Sequence, residues 1–430
     1  MVVRSRLGSA SAGLSIGANV LGTKIVNYAL GALTAILVAR VLGPEDRGIW
    51  SVTLLIASVF GLCAEMGIGT SALYSMQRHP ERKDAIITTS LLLAFGISTC
   101  WVLLGLTLAT DARVLRLIGV PATPLVIAIV AAIGVGATSV SRYILLKLDD
   151  TQGANRSSLV HAGSLLILLA VAFIAAPGVD IAMAAYSLSV FATLAFTLPR
   201  LFTRHHVRFS PEPRLFGPLF SYGAKAHLSS VALFLVYRVD LVIVNHYLGF
   251  KAAGIYSVSL AVSEILRGIP ETAQTLVVTR SGRGLLATDS ERMCRMSVIV
   301  TAVCGVVVAT SSEWLIPLVF GPAYAGASTA LWWLLPGSLG LAASYSLSPL
   351  LALRGQVMTS GWATLLSLVV MVGIDVYVVP WWGLSGAAIA SSIAYCMLAG
   401  LQLGLLCRSG EVWLGHLVPK KDDFRHLSSI

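Results

Sequence analysis

The chain has 430 residues, of which 56% are hydrophobic and only 12% charged, with a mean hydropathy of +0.84. A water-soluble chain carries about a quarter charged residues, so a globular soluble enzyme is excluded. The formal net charge of +10 does not imply nucleic acid, because the cations sit in short connectors between apolar runs, where they act as membrane topology signals.

Twelve apolar runs are long enough to cross a bilayer, which takes about 17–25 residues. The first, Gly13–Ala39, follows Arg4 and Arg6. It is longer than the roughly 7–15-residue apolar core of a cleavable signal, so it is read as a retained span. Ile49–Leu73, Ala85–Thr110, Leu125–Leu146, Leu159–Ala176 and Ile181–Leu198 complete a first set of six. Past the basic connector Arg200–Pro218 come Leu219–Leu248, Ala253–Val278, Met296–Val319, Ala330–Leu353, Val357–Val379 and Leu384–Cys407. Pro177 and Pro380 divide the fifth span from the sixth and the eleventh from the twelfth.

Of the 30 Lys and Arg residues, the odd-numbered connectors hold only Arg40, Arg47, Arg113, Arg116 and Lys251. The N-terminus, the even-numbered connectors and the tail hold most of the others, including Arg78, Arg82, Arg200, Arg204, Arg283, Lys420, Lys421 and Arg425. This asymmetry predicts an even number of spans and both termini in the cytoplasm, in a multi-pass protein of the inner membrane. No connector has room for a soluble catalytic domain. Trp381 and Trp382, at a predicted outer connector, suit an aromatic belt, and Trp50 and Trp314 suit either a belt or core packing. The six cysteines fall in or beside apolar runs without a CxxC pair, which supports neither a metal site nor a disulfide framework.

The chain also repeats itself. Leu42–Val52 reads LGPEDRGIWSV and Leu248–Val258 reads LGFKAAGIYSV, six identities at an offset of 206. A weaker echo relates Gly178 to Gly383. Six spans separate the copies, so both enter the membrane in the same sense. The expected fold is all-α and polytopic, with two six-helix bundles, 1–205 and 206–430, related by a parallel pseudo-twofold repeat.

Ionisable residues at membrane depth are the candidate functional groups. Each costs roughly 2.5–3.5 kcal/mol at a span centre. Lys24, Lys225, Arg238 and Arg267 lie inside predicted spans, as do Glu65, Asp240, Glu264 and Asp375. Lys24 shares a helical face with Asn27, Tyr28, Gly31 and Thr34, forming a polar stripe; the competing reading pairs it with Glu65 or lets it snorkel. Arg238 and Asn245 stand one heptad apart, with Arg238 facing either a ligand or an Asp partner. Glu264, Arg267 and Glu271 follow at helical spacing, where Glu264 and Arg267 can neutralise each other. Pro270 is expected to break that helix. Asp240, Glu264 and Asp375 are candidates for a coupling-ion or proton site. No catalytic residue, metal site or cofactor is expected.

Three stretches carry a family resemblance. They are Arg40-Val-Leu-Gly-Pro-Glu-Asp-Arg-Gly-Ile-Trp-Ser, then Arg238-Val-Asp-Leu-Val-Ile-Val-Asn-His-Tyr-Leu-Gly with Gly254-Ile-Tyr-Ser, and Val319-Phe-Gly-Pro-Ala-Tyr-Ala-Gly-Ala. In these the chain resembles the Wzx-type polysaccharide flippases of the MOP superfamily, which also contains the MurJ flippases and the MATE exporters. The resemblance implies a polyprenyl-diphosphate-linked glycan as cargo, moved by alternating access for cell-surface polysaccharide biosynthesis. Lys24, Asn27, Tyr28, Arg238 and Asn245 would then line the binding cavity. Membrane lipids and other polysaccharide-assembly membrane proteins would be its partners, and nucleic acid would not.

The alternative is a MATE-like exporter of drugs or metabolites. Many such exporters carry an acid in the first helix, whereas Gly13–Ala39 holds Lys24 and no Asp or Glu. A major facilitator usually has a Gly-rich second connector, and this one has no glycine. A lipid-linked-sugar glycosyltransferase generally needs a large outer loop, and the largest here is Asp111–Pro124.

Overall fold

A computed structural model describes residues 2–281, 287–354 and 356–408, and every regular element among them is helical. Arg283 and the tail residues Lys420, Lys421 and Arg425 lie outside the described residues. The helices are α1 (Val2–Glu65), α2 (Ile68–Arg78), α3 (Lys83–Thr110), a short α4 (Ala112–Ile118), α5 (Ala122–Lys147), α6 (Thr151–Ala175) and α7 (Val179–Thr203). After them come α8 (Phe216–Val236), α9 (Val239–Ser281), α10 (Ala287–Phe320), α11 (Ala327–Leu353) and α12 (Val357–Arg408).

Ten helical stretches among the described residues are long and apolar enough to cross a membrane. Two of these, Gly22–Arg78 and Met358–Arg408, run for 57 and 51 residues. At ~1.5 Å per residue each exceeds twice the ~30 Å hydrocarbon thickness. Each turns at a glycine of positive φ, Gly43 (φ 74°) and Gly383 (φ 57°), and so supplies two passes. The expected twelve spans result.

The breaks do not all fall where prolines predict them. Pro177 does separate α6 from α7, but α12 runs helically through Pro380 and turns at Gly383. Pro270 lies inside α9, which stays helical around it, so the expected break there is absent. A proline removes one helical hydrogen bond, whereas reversing the chain requires torsions that glycine adopts most cheaply. Two other breaks interrupt spans. Met66 (φ 44°) and Gly67 (φ 66°) separate α1 from α2. Tyr237 and Arg238 separate α8 from α9, with their N–H groups donating to the Phe234 and Leu235 carbonyls at 3.1 Å.

The described residues form two compact units. One comprises those up to Leu42 and Ile49–His227, the other Gly43–Gly48 and those from Leu228 onward. In the first unit, Ile68, Ile86, Ile87, Ile144, Leu145 and Leu201 form one apolar cluster. Trp50, Leu169, Met183 and Tyr186 anchor another. Trp50 is therefore a core residue, edge-on to Tyr186 at 6.4 Å, whereas Trp314, Trp381 and Trp382 are exposed. Ile167, Val171 and Ile174 are exposed along one face of α6, the spacing of a lipid-facing stripe.

The sequence repeat has a local structural counterpart in the second unit. Gly43 and Gly249 adopt the same backbone conformation, φ 74° and 79° with ψ 176° in both. Their partners pack reciprocally: a Cβ on Gly48 would lie 1.9 Å from the Phe250 carbonyl oxygen, and one on Gly254 would lie 1.7 Å from that of Pro44. Pro44 and Phe250 are themselves 206 positions apart. The motif glycines are thus needed for a backbone-to-backbone contact between the two copies.

Outside the spans, Asp150 ties α6 to α7. Its Oδ1 caps α6 by accepting from the Gly153 N–H at 2.9 Å. Arg200 donates to both carboxylate oxygens at 2.6 and 3.0 Å, and the His205 Nε2 lies 3.1 Å away. The Arg200 hydrogen bonds hold the carboxyl well below the usual carboxylate range, against the opposing effect of burial. Because the folded value lies under the ~3.9 of a free Asp, this contribution is complete above about pH 4 and drains away as the pH falls toward the folded value. Asp150→Asn is expected to cost about 1–3 kcal/mol at pH 7. In thermal unfolding in detergent its deficit should shrink at pH 3. An equal deficit at both pH values would contradict this account.

Candidate substrate and coupling sites

The break at Tyr237–Arg238 places two consecutive functional elements at the start of α9. Asp240, in its first turn, is fully buried. Its Oδ2 accepts from the Tyr256 hydroxyl at 2.7 Å and the Ser391 hydroxyl at 2.9 Å, and its Oδ1 from the Leu241 N–H at 2.8 Å. Asp375, on α12, is also fully buried, and no donor among the described residues reaches either of its oxygens. Asp375 is near enough to Asp240 for the two charges to interact. An all-oxygen set of two carboxylates and two hydroxyls suits a hard monovalent or divalent cation, or a shared proton.

Arg238 occupies the other side of the break. It forms a direct ion pair with Glu264. Arg267 stands 3.9 Å from Glu264 and 3.6 Å from Glu271, and the Tyr345 hydroxyl donates to Glu271 at 3.4 Å. Arg267 also packs over the Tyr237 ring at 5.3 Å. These four charged side chains are 22–31% exposed, and Arg238, Glu264 and Arg267 line a recess together with Tyr237, Ser263, Ser338 and Tyr395. Glu264, the third coupling candidate, forms its ion pair with Arg238. Arg238 is paired with a Glu from α9, not with an Asp. Asn245 lies seven residues along α9, half-buried, with its Oδ1 enclosed and without a donor among the described residues.

In the first unit, Lys24, Asn27 and Tyr28 are half-buried on α1, while Ile25 and Val26 between them are exposed. Glu65, at the end of α1, engages the Ser139 hydroxyl and feels the Arg142 guanidinium of α5; it is not reserved for Lys24. Arg142 is missing from the ionisable residues singled out above. It lies inside the fourth predicted span, and a scan of that span for charge alone would have found it.

The three stretches that carry the resemblance meet around Arg47. This residue is buried, donates from Nε to the Ser257 hydroxyl at 2.8 Å, and stands 5.6 Å from the ring centres of both Phe320 and Tyr324. Arg47 belongs to the first stretch, Ser257 to the second, and Phe320 and Tyr324 to the third, so their joint presence in the sequence reflects one packed cluster.

Twelve apolar passes among the described residues, with paired charges and buried carboxylates inside them, mark a multi-pass membrane protein, and the fold is that of the MOP superfamily. A structure described as the lipid II flippase MurJ, inward closed, is matched with a TM-score of 0.77 at 13% identity, over 92% of this chain and 88% of that one. An inward-facing multidrug resistance MATE transporter gives a TM-score of 0.69 at 16% identity, over 89% and 95%. A MOP superfamily transporter from Pyrococcus furiosus, described as having a binding pocket of reversed polarity, gives 0.60 at 17%, over 92% and 94%. A comparison with curated protein sequences gave no match. Residues 17–278 match the family profile described as polysaccharide biosynthesis protein; the chain belongs to that family.

Proposed function

We propose that this protein is a flippase that carries a polyprenyl-diphosphate-linked oligosaccharide across the inner membrane by alternating access, with both termini in the cytoplasm. The observation that carries the reading is the Arg238–Glu264–Arg267–Glu271 cluster, four charged groups kept partly accessible within apolar helices. Charges so placed cost too much to be left in lipid. Arg238 offers planar donors matched to phosphate oxygens, and Glu264 is the counter-ion that an incoming diphosphate displaces. Lys24, with Asn27 and Tyr28, adds a second cationic surface, and Asn245 a further polar contact. The polyprenyl tail stays among membrane lipids, and no bond of the cargo is made or broken. Asp240 and Asp375 take the coupling cation or proton. The two sequence repeats, 1–205 and 206–430, work as the two moving lobes. Other membrane proteins of polysaccharide assembly are the expected partners.

Family membership supports this reading over drug export, as does an α1 with Lys24 and no acid from Gly22 to Leu42. The test is a deletion strain complemented with variants. Deletion is expected to abolish surface polysaccharide and to accumulate the lipid-linked repeat unit on the inner leaflet. Lys24→Ala and Arg238→Ala should each restore export poorly at normal protein levels. An unchanged glycan profile with altered drug tolerance would replace the flippase reading by the exporter. Normal export by both variants would remove the site assignment.

A further inference from the structure

The apolar face of α3 carries a gap that packing does not explain. Residues four apart form a ridge along a helix, and Leu92, Gly96, Cys100 and Leu104 make one such ridge. Gly96 and the small Cys100 interrupt it. A glycine inside a helix costs about 1 kcal/mol against alanine, a cost that Gly48 and Gly254 offset through a close backbone approach. A Cβ on Gly96 would meet nothing within 4 Å, so no segment among the described residues uses the gap. The result is a groove of about 380 Å³ bounded by α3 and by Phe216, the first residue of α8. That volume lies within the ~300–1,000 Å³ of small-molecule sites. Leu92, Leu104 and Phe216 along it are 38–46% exposed.

Length decides what fits. From Leu92 to Leu104 the helix rises ~18 Å, close to the ~15 Å that one leaflet contributes to a ~30 Å hydrocarbon core. The groove is the length of one chain of a bilayer lipid. Its end nearer the start of α3 is built by the connector that follows α7. There the Glu212 N–H donates to the Thr89 hydroxyl at 3.0 Å, one turn of α3 before Leu93. The Arg208 N–H donates to Asp84 at 3.2 Å, Arg82 pairs with Glu212, and Val207 is buried in the cluster of Ile86 and Leu201. These contacts hold Arg214 two residues from the groove-lining Phe216. The acids nearby are engaged: Glu212 with Arg82, Asp84 with Lys83 at 3.9 Å, and Glu81 with His79 at 3.4 Å. Arg208 and Arg214 are exposed, and among the described residues neither guanidinium has an ion pair or a hydrogen bond.

We propose that this groove binds one anionic phospholipid of the surrounding bilayer, with an acyl chain along α3 from Leu92 to Leu104 and the headgroup phosphate at Arg214 and Arg208. The chain fills the gap that Gly96 leaves, and burying it there removes apolar surface on both partners from contact with other lipids without straining either. The free guanidiniums select the headgroup, since arginine offers a fork of donors to a phosphate, and a headgroup that carries its own cation gains less from them. A polyprenyl tail of many isoprene units outruns a groove of this length. The bound lipid touches both α3 and the first residue of α8, and so braces the connector between the two sequence halves on the first unit.

The test is native mass spectrometry of the full chain in detergent, with phosphatidylglycerol and phosphatidylcholine of identical chains as competing probes. The wild type is expected to retain one phosphatidylglycerol, roughly fivefold or more in preference to phosphatidylcholine, the scale of one basic side chain beside an anionic lipid. Arg208→Gln combined with Arg214→Gln should remove that preference. Gly96→Leu should displace both lipids, because its side chain fills the gap, and should not lower the melting temperature of the lipid-free protein. Equal retention of the two lipids by the wild type would overturn the proposal, as would phosphatidylglycerol retained by Gly96→Leu. Displacement of phosphatidylglycerol by an equal concentration of farnesyl phosphate would overturn it too, and would give the groove to an isoprenoid. If Gly96→Leu does not fold, the double arginine variant decides: a preference that survives in it removes the site.

Discussion

Asp375→Asn is expected to stabilise the folded protein and at the same time to slow transport. The two effects share one cause. A carboxylate enclosed on every side, without a donor for either oxygen, carries a desolvation penalty of several kcal/mol as an ion. It is compatible with folding only when a cation or proton shares the space with Asp240. Asparagine removes the charge and keeps the shape, so folding no longer requires uptake of that cation or proton and the melting temperature in detergent rises. In the proposed transport cycle, the coupling assigned to that charge disappears too. A typical coupling free energy of about 1–3 kcal/mol corresponds to roughly 5–150-fold, which is the expected range of the loss in export rate. Asp240→Asn should also slow export but should not stabilise, since Asp240 already accepts from Tyr256, Ser391 and the Leu241 N–H. A residue with only a structural role would move stability and transport in the same direction. Unimpaired export by Asp375→Asn would exclude the carboxylate pair from coupling.

Gly254→Ala is expected to be among the most damaging single-methyl additions in the chain. The new carbon would stand 1.7 Å from the Pro44 carbonyl oxygen, 2.8 Å from its carbon and 3.0 Å from the Gly48 nitrogen. All three are backbone atoms, so no side-chain rotation relieves the clash, and the two copies of the motif must separate. Overpacking of a tight site costs typically 1–3 kcal/mol, and a contact this short belongs at or above the upper end. Separating the copies also disturbs the seat of Arg47 on Ser257, Phe320 and Tyr324. Gly404→Ala is the control. A Cβ there meets nothing within 4 Å, and alanine favours a helix over glycine by about 1 kcal/mol. Size-exclusion profiles and melting curves of the detergent-solubilised variants separate the two. A monodisperse Gly254→Ala with an unchanged melting temperature would show that the motif copies need no direct contact.

In the flippase we propose, the resident Glu264 changes how Arg238 would act on its cargo. A lone guanidinium would hold a diphosphate tightly and release it slowly. With Glu264 as a resident partner, binding exchanges one anion for another. Arg267 and Glu271 extend the same balanced arrangement by one turn. Cations meeting their counter-ions by exchange are suited to a step that must run forward repeatedly.

The helical class, the number of passes and the repeat were legible in the chain alone, because each is a local or periodic property. Hydropathy over about twenty residues decides whether a segment can leave water. The paired Leu-Gly and Gly-Ile-aromatic-Ser-Val signatures mark two turns that require glycine torsions and a close backbone approach. The polar stripe of Lys24, Asn27 and Tyr28 was also legible, since helical spacing alone puts those residues on one face.

Tertiary structure decided which charges meet. Asp240 and Asp375 are 135 positions apart, and nothing in either neighbourhood specifies the other. Glu264 looked like their companion by type and depth, yet the break at Tyr237–Arg238 turns Arg238 onto it. The groups that act on Glu65, Ser139 and Arg142, come from α5. Helix breaks were misjudged for the same reason: Pro270 and Pro380 sit in continuous helices, while Met66 departs from helical torsions without any proline nearby. Burial makes an ion pair or a strained turn necessary, but only packing between distant helices chooses the partners, and a linear sequence carries no term for that choice.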